Sequence, residues 1–104
     1  MKTSVDEALI HQIKDGDEDA FELMVIKYRP RILASLLRYT SSRELSEDLT
    51  QQTFLRVWEK IDTFKGNSAL FTWIYSISIN LARNYYASSP VSYTHLTLPT
   101  IDPV

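Results

Sequence analysis

The chain has 104 residues, room for one small domain, and 44% of them are hydrophobic, enough to bury a core. It has no cysteine, which excludes disulfide frameworks and thiolate metal sites, and its two histidines, His11 and His95, lie too far apart in sequence to suggest a metal site. The net charge of -2 argues against a nucleic-acid binder, yet twelve of the thirteen acidic residues lie at or before Asp62, and from Thr63 to Ile101 the only charged residues are Lys65 and Arg83.

Periodicity predicts an all-α chain, a compact bundle of about four helices. Ser4 followed by Glu7 has capping-box spacing, Val5, Leu9 and Ile13 share a face, and Gly16 is placed to stop a first helix over about Ser4 to Asp15. Asp17 then caps a second helix running to about Tyr39, in which Phe21, Met24, Val25, Tyr28, Ile32, Leu33, Leu36 and Leu37 recur at helical steps. Pro30 falls inside that stripe, which continues in phase, so a kink is expected rather than two helices. Ser41 and Glu44 repeat the capping-box pattern, and Leu45, Leu49, Phe54, Val57, Trp58 and Ile61 trace a third helix over about Ser42 to Asp62. After Phe64-Lys65-Gly66-Asn67, either Asn67 or Ser68 is expected to cap a fourth helix reaching about Ala87, with Leu70, Ile74, Ile77, Leu81 and Tyr85 as its core stripe. Short connections between long helices favour antiparallel neighbours. No run approaches the roughly 20 apolar residues of a membrane span, and the N-terminus carries carboxylates where a signal peptide needs an apolar stretch. A soluble cytoplasmic protein without membrane insertion is therefore expected.

The outward faces hold the candidate sites. Helical spacing puts Trp73, Ser76, Asn80, Arg83 and Asn84 on one side of the fourth helix, away from its core stripe. Asn can pair with an adenine edge, Arg can take a phosphate or a guanine edge, and exposed rings stack on bases. Periodicity alone leaves open whether Trp73 is half-buried packing and the amides are merely solvated. The Phe64-Lys65-Gly66-Asn67-Ser68 loop precedes that face and reads either as a pocket for an extruded base or as an ordinary helix connection. On the third helix Asp48, Gln51, Gln52, Leu55 and Arg56 form a mixed polar and aliphatic strip, suited to docking on another protein's helices or simply solvated, with Arg56 and Glu59 as a favourable pair. The carboxylates are scattered around helix caps with no histidine at ligand spacing near them, so catalysis, metal binding and a cofactor are not expected.

The order SEDLTQQTFLRVWEKIDTF, then KGNSALFTWIYSISINLARNYY, resembles the second conserved region of bacterial sigma factors of the extracytoplasmic-function group. The matching residues are Glu47, Asp48, Leu49, Gln51, Phe54, Leu55, Trp58, Thr72, Trp73, Tyr75, Ile77, Asn80 and Asn84, and the likeness covers about residues 8 to 87. Ser46 and Ser78 stand where the family usually has alanine, and Gln52 where it has glutamate. The resemblance implies a subunit that binds core RNA polymerase and recognises, and helps melt, the promoter element near position minus ten. By that likeness Asp48, Gln51, Gln52, Leu55 and Trp58 would meet the clamp helices of the largest polymerase subunit, unless Trp58 is wholly core. Phe64, Lys65, Asn67 and Ser68 would form a base-capture loop, and Trp73, Tyr75, Asn80, Arg83 and Asn84 would border the single-stranded non-template strand. An anti-sigma factor is a further partner the likeness suggests.

Family members continue into a second helical domain with a helix-turn-helix, whereas this chain changes character at Ser88. The expectation is a sigma-like domain over residues 1–87 and a tail over 88–104, disordered or not native, closing a truncated gene; VSYTHLTLPT resembles a translated sequencing adapter, and a genuine disordered or strand-adding tail is the alternative. The rival reading of the whole chain is a helical protein-interaction adaptor without DNA recognition, in which substituting Asn80 and Asn84 would leave function intact.

Overall fold

Local capping chemistry divides the chain into its elements. The computed structural model describes residues 5–88 and contains four α-helices, α1 (Val5–Lys14), α2 (Glu18–Thr40), α3 (Arg43–Lys60) and α4 (Leu70–Ser88), with a single 3-10 turn (Ile61–Thr63) continuing α3. The all-α bundle read from periodicity is the observed fold, and no helix among the described residues is long and apolar enough to cross a membrane.

Gly16 ends α1 with φ +91°, a left-handed value that a residue without Cβ adopts without strain, and its N–H donates to the Ile13 carbonyl at 2.8 Å. One residue later the Asp17 carboxylate accepts from the N–H groups of Asp19 and Ala20 at 3.0 and 3.1 Å, so α2 starts where its cap was expected. Helix α2 then passes through Pro30 as a single element.

Two boundaries differ from the sequence reading. Ser41 is not the cap of α3: it is the left-handed residue that ends α2, with φ +61°, and Ser42 caps α3 by accepting from the Leu45 N–H at 3.2 Å. A two-residue turn needs its first position to reverse the chain, which leaves the second free for capping. Neither Asn67 nor Ser68 sits in the cap position of α4. Ala69 precedes the helix and its carbonyl accepts the Trp73 N–H, while the Ser68 hydroxyl donates to that same carbonyl at 3.4 Å. The expected Ser4 cap lies outside the described residues, as does the tail beyond Ser88.

The core lies where α2, α3 and α4 meet. Met24, Ile32 and Leu36 of α2, Leu49 and Val57 of α3 and Ile74 of α4 are fully or almost fully enclosed, and α1 closes one end with Leu9 and Ile13. Phe21 meets Trp58 near the start of α2 and the end of α3, whereas Tyr28 meets Phe71 and Tyr39 meets Tyr86. Helix α3 therefore runs antiparallel to α2, and α4 runs parallel to it.

The core stripe of α4 is corrected at one residue. Leu70, Ile74, Ser78 and Ala82 are buried, with Ile77 and Leu81 partly so, but Tyr85, in the last turn, is 45% exposed, and it is the next residue, Tyr86, that meets α2 there. Serine and threonine occupy part of the buried sides of α3 and α4. Ser46, Thr50, Thr53 and Ser78 are fully buried, and the hydroxyls of Thr50, Thr53 and Ser78 donate to carbonyls of their own helices at 2.7 Å. Satisfied this way, small polar residues let helices approach closely without orphaned groups.

Helix α1 is tied down by polar contacts as well as by Leu9 and Ile13. Lys27 Nζ donates to Asp6 Oδ1 at 2.7 Å, and the Tyr28 hydroxyl donates to the other Asp6 oxygen. Burial is the largest influence on the Asp6 carboxyl and pushes its pKa up, but the hydrogen bonds from Lys27 and Tyr28 and the Lys27 charge together outweigh it and leave it below the usual carboxylate value. For Tyr28, burial and the bond to Asp6 raise the phenol's pKa.

Candidate functional site

Helix α3 buries Ser46, Leu49, Thr50, Thr53, Phe54 and Val57, which turns the opposite side outward. On that side Asp48, Gln51, Gln52 and Leu55 are all exposed, Leu55 by 59%, so the structure brings these four predicted residues together. Gln52 donates its amide to Asp48 Oδ2 at 2.7 Å, and Arg56 pairs with Glu59 at 3.5 Å along the neighbouring edge. Trp58 borders the strip. Its ring meets Phe21 edge-on at 4.9 Å and stays 37% exposed, so it is not wholly core: one side packs and the other faces outward.

The loop between α3 and α4 divides its residues between inside and outside. Phe64 is only 6% exposed and packs at 4.9 Å against Trp73, which is itself half-buried. Lys65, Gly66, Asn67 and Ser68 are exposed around Gly66, whose φ of +80° makes the turn.

Sequence spacing gave no sign of what lies behind the loop. Lys14 of α1 donates from Nζ to the Phe64 carbonyl at 2.8 Å across 50 residues of chain. Between α1 and the loop lies a cleft of about 570 Å³ lined by Glu7, Ile10, His11, Lys14, Asp62, Phe64, Lys65 and Gly66. Contacts between residues so distant in sequence carry no periodic signal.

On α4, Ser76, Asn80, Arg83 and Asn84 are exposed on one side with Trp73 at its edge. Tyr75 is not part of that face. At about 100° per residue it lies roughly 140° around the helix from Asn80. It is instead stacked at 6.0 Å on Phe71, whose ring lies 5.7 Å from that of Tyr28, and the Arg31 guanidinium sits 3.8 Å over the Phe71 ring. Arg31 and Tyr75 thus belong to the α2/α4 seam, a grouping that neither helix's own periodicity reveals.

Comparison with known proteins supplies the family. The Sigma-70 region 2 family model matches residues 24–89. The ECF RNA polymerase sigma-E factor of Haemophilus influenzae is 38% identical over 80 residues, which cover 77% of this chain and 42% of that protein. The RNA polymerase sigma-H factor of Pseudomonas aeruginosa is 35% identical over the same shares of both chains. The chain thus spans less than half the length of these relatives. Among solved structures, the NMR structure of an engineered region 2 of sigmaE in complex with GTAAAA superposes with a TM-score of 0.73 at 29% identity, covering 85% of this chain and 93% of that one. By the family match, the shared helical order and the similarity to extracytoplasmic-function relatives, the chain belongs to the Sigma-70 region 2 family of RNA polymerase sigma factors.

Proposed function

We propose that this domain is a transcription-initiation module that binds core RNA polymerase and recognises, and helps melt, the promoter minus-ten element. The observation that carries the reading is the separation of two outward surfaces on a shared core: the α3 strip of Asp48, Gln51, Gln52 and Leu55, and the α4 side of Ser76, Asn80, Arg83 and Asn84. The first suits a helical protein partner because Leu55 offers apolar area ringed by polar groups. The clamp helices of the largest polymerase subunit are the inferred partner, with Trp58 adding ring contact at the edge.

The second suits an unpaired strand, because Asn80 and Asn84 can read base edges and Arg83 can hold phosphate. Lys65, Asn67 and Ser68 are the inferred capture groups of the loop, with Phe64 and Trp73 forming its rigid floor. Tyr75 would reach the strand from the seam side. Residues 1–87 form the working unit in this reading, which is cytoplasmic, needs no cofactor and leaves catalysis to the polymerase. An anti-sigma protein is the inferred regulator.

The test is capture of core RNA polymerase by the chain, comparing wild type with a Gln51→Ala, Leu55→Ala double variant whose fold is checked by circular dichroism. Wild-type binding lost in the variant supports the reading. Folded protein that binds in neither form removes it and favours the adaptor alternative.

A further inference from the structure

Phe64 is fixed through its N–H, its ring and its carbonyl. The N–H donates to the Ile61 carbonyl at 3.1 Å and closes the 3-10 turn, the ring packs against Trp73, and the carbonyl accepts from Lys14 Nζ at 2.8 Å. The direction of that carbonyl sets the plane of the Phe64–Lys65 peptide, and with it the line on which the exposed residues Lys65, Gly66, Asn67 and Ser68 leave the bundle. Among the described residues Lys65, Gly66 and Asn67 make no hydrogen bond of their own, and Lys14 is the one side chain from outside α3, the 3-10 turn and α4 that bonds to this connection.

Helix α1 gives that bond a firm post. Leu9 and Ile13 are buried beneath it, Asp6 is held by Lys27 and Tyr28, and the helix packs on the 3-10 turn. A lysine in the last turn of a helix is favoured by the helix dipole, which explains the residue type but not its reach to a carbonyl 50 residues along the chain. Asp62 lines the same cleft, yet the Lys14 ammonium donates to the Phe64 carbonyl and not to that carboxylate. The Sigma-70 region 2 match begins at residue 24, so Lys14 and the whole of α1 lie outside the stretch that the family model covers.

We propose that Lys14 is a positioning residue for the α3–α4 loop: through the Phe64 carbonyl it holds the peptide plane from which Lys65 to Ser68 depart, and so sets the shape in which they receive an extruded base, without touching nucleic acid itself. This role rests on the base-capture reading of the loop and deepens it by making α1 part of the recognition unit. With the bond in place the loop is arranged before the base arrives; without it, part of the binding free energy goes into ordering the loop. That cost falls only on the strand whose base enters the loop, so Lys14 controls discrimination at one base rather than general affinity.

The test titrates the full chain, at several salt concentrations, with fluorescein-labelled single strands carrying GTAAAA, each of its single-base substitutions or a scrambled order, and measures backbone order parameters by NMR without DNA. Wild type is compared with Lys14→Met, which keeps the aliphatic stem and loses the donor, with Lys14→Arg, which restores a donor, and with Asn80→Ala/Asn84→Ala, each checked by circular dichroism. In Lys14→Met the order parameters of residues 65–68 should fall from rigid values of about 0.85 to below about 0.6, with those of α3 and α4 unchanged. Discrimination at one base position should fall about tenfold, the scale of a hydrogen bond from a charged donor, at an unchanged slope of log affinity against log salt. Lys14→Arg should recover both. Wild-type loop order or wild-type discrimination in Lys14→Met overturns the proposal, and so does equal impairment of the methionine and arginine variants, which would mark a packing effect on α1. Equal weakening of every strand with a slope reduced by about 0.7 also overturns it, because Lys14 would then be a phosphate contact. If the asparagine pair loses preference for GTAAAA while Lys14→Met keeps it, the α4 reading stands and the Lys14 role falls; wild type that does not distinguish GTAAAA from the scrambled strand removes the nucleic-acid reading and the Lys14 role with it.

Discussion

At the scale of single residues, neighbouring positions in the α3–α4 loop have opposite fates. Phe64 is enclosed and braced by Trp73, whereas Asn67, three residues on, is exposed. Phe64→Ala should therefore cost about 3 kcal/mol in chemical denaturation, through the emptied volume and the lost ring contact, and Asn67→Ala less than about 0.5 kcal/mol. Asp6 makes a pH-dependent contribution. Its folded pKa is depressed, so the stability it supplies is present above the unfolded value and is lost as pH falls through the folded one. Acid titration followed by circular dichroism should show α1 loosening below about pH 4, and Asp6→Asn should remove that phase while leaving later acid unfolding in place. Neither fate was legible in the sequence. Phe64 reads as a loop residue, and Asp6 meets partners 21 and 22 residues away, beyond any local pattern.

At the scale of elements, caps and stripes carried most of the fold into view. Gly16 and Asp17 announce the α1–α2 break in adjacent letters, and the stripe from Phe21 to Leu37 states the burial of α2 before any contact is known. What periodicity misplaced are positions where two serines compete or where none serves. Of Ser41 and Ser42, the left-handed conformation falls to the first and capping to the second, so Ser42→Ala should lower stability by about 1 kcal/mol and Ser41→Gly should raise it by about 1 kcal/mol, read as shifts of the denaturation midpoint at constant slope. At the start of α4 the residue in the cap position is Ala69, which has no side-chain acceptor. The grouping of Tyr75 with Arg31 was equally hidden, since it depends on how α4 is rotated against α2 rather than on either helix alone.

At the scale of the molecule, the α3 strip and the α4 side are built on different helices and share no side chain, so changes in them should act independently. Asn80→Ala/Asn84→Ala should leave polymerase capture within about twofold of wild type, and combining it with Gln51→Ala/Leu55→Ala should give free-energy losses that add within about 0.5 kcal/mol in a promoter-complex assay. The turn between α2 and α3 couples other parts of the molecule more tightly. The Thr40 hydroxyl accepts the Ser42 N–H at 3.0 Å and lies 2.7 Å from the fully buried Ser46 hydroxyl. An alanine at position 46 could not join this chain of bonds. The last turn of one helix, the cap of the next and its first turn are therefore clasped by three hydroxyls, and opening one end leaves polar groups of the other without partners. The two helix ends form one cooperative opening unit, so amides from Thr40 to Ser46 should exchange with solvent hydrogen at a common rate, and Ser46→Ala should release that whole segment together rather than fray a single residue.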